Sequence, residues 1–138
     1  MTVPLSRRQV IGAGALLALS PAQAQEPQPV IELLTLGTAQ IEVQFATGFE
    51  PALRAEALLW VRRSAAAVTA YFGRFPLPHV ELLLLPAEGD GVGGGSTYGE
   101  PEPWMRVRVG RKTSAAQFQS DWVLVHEMIH LAVPRVPR

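Results

Sequence analysis

The sequence predicts an α+β fold, a small mixed or antiparallel sheet packed with two main helices, the second carrying a His-Glu-x-x-His segment. Three observations carry this expectation. Short stretches alternate apolar and polar residues with period 2, at Ile41, Val43, Phe45 and again at Met105, Val107, Val109. Two longer stretches carry apolar residues at helical spacing. The elements follow one another as strand, strand, helix, strand, strand, helix.

Residues 1–24 read as a cleaved leader and are set aside from the fold. Ser6-Arg7-Arg8-Gln9-Val10 is a charged start, Val10 to Leu19 a short apolar run, and Ala22-Gln23-Ala24 a small-residue cleavage site. The paired arginines resemble a twin-arginine signal. The apolar run is too short to span a bilayer, so no stable membrane anchor is expected after cleavage. An exported protein, periplasmic or secreted, follows from this reading. Residues 25–138 then form a single domain, and its 10 basic against 12 acidic residues give a net charge of −2.

Gln25 to Pro29 reads as a linker. Val30 to Leu36 is β-prone, Gly37-Thr38 marks a turn, and Ile41 to Phe45 completes a hairpin with one buried face. Pro51 to Phe72 is free of Gly and internal Pro. Its stripe of Leu53, Leu58, Val61, Ala65, Val68 and Phe72 makes it an amphipathic helix, begun by Pro51 and ended by Gly73 and Pro76. Val80 to Leu85 is a buried strand. Glu88 to Ser96, with Asp90 and four glycines from Gly91 onward, reads as a flexible loop. Trp104 to Gly110 is a strand with one apolar face. Ser114 and Gln117 stand at capping-box spacing, opening a helix whose apolar stripe is Phe118, Trp122, Val125 and Ile129 and which Pro134 ends.

Composition narrows the chemistry. Hydrophobic residues make up 48% and charged residues 17%, which is globular composition rather than disordered. A formal charge of zero offers no basic surface for nucleic acid. The absence of cysteine excludes disulfides, thiolate-bound zinc and a lipid-modified anchor. His, Asp and Glu are left as the strong metal ligands.

His126-Glu127-Met128-Ile129-His130 carries the chemistry. Residues four apart lie on one face of a helix, so His126 and His130 present two imidazoles to one point. Imidazole nitrogen suits zinc. Glu127 is placed to reach a metal-bound water as general base. The pattern arises by chance on the order of once in a few hundred chains of this size. The segment also holds two of only three histidines.

Asp121-Trp122-Val123-Leu124-Val125-His126-Glu127-Met128-Ile129-His130-Leu131 resembles the active-site helix of gluzincin-type, peptidase MA-like metallopeptidases. The preceding Gly-rich loop and strand are similar as well, and the likeness covers roughly residues 80–134. The resemblance implies a zincin-like N-terminal half and one zinc ion with His126 and His130 as ligands. It also implies Glu127 as catalytic base and a peptide or protein substrate. It further implies that the strand before the helix lines the cleft and pairs with extended substrate. That makes Trp104, Met105, Arg106 and Val107 candidate substrate contacts. Apart from the resemblance, Tyr98 is a candidate oxyanion partner near zinc, with a packed loop tyrosine as the alternative.

A catalytic zinc takes three protein ligands. The resemblance places the third, a glutamate, on a following helix. The eight residues after His130 contain no Asp, Glu or His, so the domain is expected to be incomplete at its C-terminus. The extended metzincin motif fails too, with Val133 and Val136 at its Gly and His positions. Upstream, His79 reads as a strand-start residue, and Asp90, Glu100 and Glu102 flank the loop expected to face the cleft. Gly91 to Ser96 leads into a strand rather than a helix and is no phosphate-binding loop. Trp60 and Trp122 read as core or helix-packing residues. The expected function is an exported zinc-dependent peptidase. The alternative is an inactive, truncated peptidase-like domain with weak zinc or peptide binding.

Overall fold

The structure, a computed structural model, describes residue 22 and residues 28–133. The leader read over residues 1–24 lies outside the described residues apart from residue 22, as do residues 134–138 with the helix-ending proline. Among the described residues no helix is long and apolar enough to cross a membrane.

The fold is α+β. Its elements are β1 (Val30–Leu36), β2 (Ala39–Phe45), α1 (Pro51–Phe72), β3 (His79–Ala87), β4 (Val92–Tyr98), β5 (Trp104–Gly110), α2 (Ala115–Ser120) and α3 (Val123–His130). The five strands form one mixed sheet in the order β1-β2-β3-β5-β4. The expected hairpin is β1 with β2, antiparallel, with Leu34 opposite Ile41. The helix α1 carries the chain over to β3, which runs parallel to β2. A parallel neighbour requires such a crossover. β3 is also parallel to β5, while β4 closes the sheet antiparallel to β5.

Alternation fixes which face of each strand is buried. Ile41, Val43 and Phe45 of β2, Val80, Leu82 and Leu84 of β3, and Met105, Val107 and Val109 of β5 are buried on one side of the sheet. The helices cover that side. Leu53, Ala57, Trp60, Val61, Ala65 and Val68 of α1 meet Phe118, Leu124 and Met128 in the same core. The stripe expected on α1 is therefore rotated slightly. Trp60 lies fully buried, whereas Phe72, at the helix end, remains 40% exposed. Gly73 terminates α1 in the left-handed conformation, with φ at 79°.

Two expectations are corrected. The loop expected over Glu88 to Ser96 contains most of an edge strand, β4. Its glycines carry no side chains to reveal alternation; Gly95 pairs with Val107 of β5, and Gly93 and Gly94 lie in a register irregularity between Val92 and Gly95. The helix expected to run unbroken from Ser114 is two helices. The capping box at Ser114 and Gln117 is present and starts α2. The chain then extends at Asp121, with φ −71° and ψ 138°, before α3 begins. The Asp121 carboxylate accepts from the backbone N–H of Val123 at 3.1 Å and of Leu124 at 3.3 Å, satisfying donors that a helix start leaves open.

This break resets the phase of the last helix. Trp122, expected on the apolar stripe, is 68% exposed, and Ile129 is also exposed. Leu124 and Met128 take the core positions instead. The exposed Ile129 helps line an apolar hollow of about 220 Å³ with Val125 and with Tyr71 and Phe72 of α1.

Candidate metal centre

The placement of the site follows from α3. Successive residues of a helix turn by about 100°. With Leu124 and Met128 against the sheet, His126 and His130 must point to solvent, and both are exposed. Glu127 falls on the flank between, on the side that packs against β4, and is only 7% exposed.

The two imidazoles converge. Their Nε2 atoms lie 3.0 Å apart and the rings meet edge to face at 86°. Two nitrogens bound to one tetrahedral zinc at about 2.0–2.1 Å stand about 3.3 Å apart. The pair therefore needs to open by only a few tenths of an ångström to share an ion. Nitrogen donors on a helix face open to solvent fit zinc and leave room for water. Trp122, in contact with the His126 ring edge to face at 5.6 Å, stands at the rim rather than in the core.

Glu127 is held from β4. Thr97 Oγ1 lies 2.5 Å from Glu127 Oε2 and 2.9 Å from the Glu127 carbonyl oxygen. Directly opposite positions of an antiparallel pair share a face, so Thr97 and Gly95 point the same way as Met105 and Val107, towards the helices. A Cβ at Gly95 would come within 2.6 Å of Glu127 Cγ and 3.1 Å of its Oε1. The bare backbone at Gly95 is what lets the Glu127 side chain lie against the strand.

The candidate substrate contacts divide between the two faces of the sheet. Met105 and Val107 are fully buried beneath the helices. Tyr98 lies opposite Trp104, with the rings stacked 4.3 Å apart at 13°, and the Arg106 guanidinium lies over the Tyr98 ring at 5.7 Å. This stack is on the face of the sheet away from α3, because Tyr98 alternates with Thr97. Tyr98 is thus removed from the oxyanion position expected of it. Pairing of a peptide with Trp104 to Gly110 is likewise closed, since β5 is hydrogen-bonded to β3 on one side and β4 on the other. Among the described residues, the edge strand beside α3 is β4.

The upstream candidates for a third ligand also separate. His79 is the first residue of β3, aligned with Gln40 and 4.0 Å from Glu42, and alternates with buried Val80, which puts it on the face of the sheet away from α3. Asp90 accepts from Gln117 at 2.7 Å, beyond the opposite end of β4. Glu102 is exposed on the loop before β5. Glu100 and His130 line one cavity of about 290 Å³, to which Thr97 also contributes. Among the described residues, no group of three or more His, Asp or Glu side chains stands close enough to hold a metal ion.

Sequence reasoning reached His126, Glu127 and His130 from their spacing. It missed Gly95 and Thr97, whose only signal is the β-prone Ser96-Thr97-Tyr98 at the end of a glycine run. The sequence matches no protein-family profile and no curated protein.

Proposed function

We propose that this chain is a zinc-dependent peptidase-like domain, with His126 and His130 as metal ligands and Glu127 as general base. The observation that carries the reading is the 3.0 Å approach of the two Nε2 atoms on the helix that also carries Glu127, whose carboxylate is fixed by Thr97. Zinc, when bound, supplies Lewis-acid activation of a water and of the scissile carbonyl. His126 and His130 give it two neutral nitrogen donors. Glu127 takes a proton from the water that attacks the carbonyl carbon. It returns that proton to the amine nitrogen as the carbon–nitrogen bond breaks. The place of β4 at the sheet edge next to α3 supports an extended peptide as substrate, aligned by backbone hydrogen bonds. The leader-like residues 1–24 support an exported destination.

The test is hydrolysis of an unstructured protein by the zinc-loaded chain. Wild type should cleave it, and Glu127→Gln should lower the rate by about 10²- to 10⁴-fold, the range expected for loss of a general base. Equal rates in the two proteins exclude Glu127 as the base.

A second reading is a peptidase-like domain that binds zinc weakly, or a peptide, without turnover. It is favoured by the lack of a third clustered ligand among the described residues. Absence of cleavage by the zinc-loaded wild type, with zinc lost on dialysis, selects it.

A further inference from the structure

We infer that Thr97 is a positioning residue for Glu127, and that Gly95 and Thr97 of β4 together form the seat of its carboxylate. The inference rests on the reading of Glu127 as the base. A glutamate on a helix face has three rotatable side-chain bonds, and the helix alone does not choose among them. Here the choice is made by a strand 30 residues away in sequence. The Thr97 hydroxyl reaches Oε2 at 2.5 Å, a short contact for a hydroxyl and a carboxylate. Its 2.9 Å approach to the Glu127 carbonyl oxygen ties the same hydroxyl to the helix backbone. Side chain and backbone of one residue are thereby referenced to a single atom. Gly95 completes the seat by exclusion, since a Cβ there would meet the Glu127 side chain, its Cγ at 2.6 Å and its Cδ and Oε1 at 3.1 Å.

The consequence is chemical. A base that accepts from water needs one carboxylate oxygen, and the other can be given to a fixed donor without loss. A donor that holds Oε2 fixes the direction of the remaining lone pairs. Because the donor is on the edge strand, any peptide paired with β4 is positioned in the same frame as the base. Orientation of this kind sets rate rather than ground-state binding.

The experiment uses the full chain as wild type, Thr97→Val, Thr97→Ser and Gly95→Ala. The carboxylate carbons of ¹³C-labelled glutamate are observed by NMR, with the Glu127 signal assigned by its loss in Glu127→Gln. Thr97→Val and Gly95→Ala should move the Glu127 signal, and Thr97→Ser should restore it. In the zinc-loaded proteins, Thr97→Val should lower kcat by about 10- to 100-fold with KM changed less than about twofold, and Thr97→Ser should recover most of the loss. A Glu127 signal unmoved by Thr97→Val overturns the proposal whatever the activity. An unchanged kcat in Thr97→Val beside an active wild type overturns it as well. An inactive wild type in which Thr97→Val still moves the signal and Thr97→Ser restores it removes the peptidase reading instead, and upholds Thr97 as the residue that seats Glu127.

Discussion

Trp60 Nε1 donates a hydrogen bond of 2.9 Å to Asp121 Oδ2, joining the middle of α1 to the break between α2 and α3. The same carboxylate accepts from the first backbone N–H groups of α3. One side chain therefore fixes where the last helix starts, and with it the direction of His126 and His130. The indole is fully buried and its N–H requires a partner there.

Asp121→Ala should remove the acceptor and destabilise the domain by about 1–3 kcal/mol, the range for a lost helix cap together with an unpaired buried donor. Asp121→Asn keeps an acceptor and should cost less. Urea denaturation of the three proteins measures this. Equal midpoints for wild type and Asp121→Ala would remove Asp121 as the element that sets α3.

The phase of α3 predicts a contrast between adjacent residues. Met128 is fully buried, and Met128→Ala should cost about 2–5 kcal/mol. Ile129 is exposed at the rim of the apolar hollow, and Ile129→Ala should cost under about 1 kcal/mol. A continuous helix from Ser114, with Ile129 on the core stripe, reverses the order. Thermal or urea unfolding of the pair separates the two registers.

Much of this architecture was legible because it is local. The alternation in Ile41 to Phe45 and in Met105 to Val109 marks the buried faces, and the four-residue spacing of His126 and His130 gives their convergence directly. The strand β4 was hidden because Gly93, Gly94 and Gly95 show no pattern of polarity, and only the pairing of its flanks, Val92 with Val109 and Gly95 to Tyr98 with Val107 to Trp104, makes the segment a strand. The helix break was hidden because Asp121 fits a helix's polar face as well as a cap. Its partner Trp60 lies 61 residues earlier. The Thr97 contact is equally non-local. The side of the sheet on which Tyr98 falls could not be read until β4 was known to be a strand.

Glycines within and beside the edge strand should differ sharply in tolerance. A Cβ at Gly110 would lie 2.7 Å from backbone atoms of Gly89 and Asp90, which cannot rotate away. Gly110→Ala should therefore destabilise by about 1–3 kcal/mol. A Cβ at Gly94 meets nothing within 4 Å, and Gly94→Ala should be neutral or stabilising by up to about 1 kcal/mol through reduced freedom of the unfolded chain. Unfolding midpoints of the two variants check this, and comparable losses in both would contradict the close approach of the Gly89 and Asp90 backbone to Gly110.

The stack of Trp104, Tyr98 and Arg106 provides a control for the location of the site. It lies on the opposite face of the sheet from α3. Tyr98→Phe and Arg106→Ala should leave zinc affinity within about twofold of wild type, since neither touches His126 or His130 and only rim electrostatics change. Competition with a chromophoric chelator reads this out. A loss of tenfold or more in either variant would place the stack at the metal rather than behind the sheet.

The central claim is that His126 and His130 share one zinc ion, and metal content after dialysis tests it most directly. The full chain is equilibrated with a small excess of zinc, dialysed and assayed for metal per chain, beside His126→Ala and His130→Ala. Wild type should retain one zinc per chain, and each variant should lose it while remaining folded by circular dichroism. Wild type that retains none, or variants that retain as much as wild type, contradicts the account.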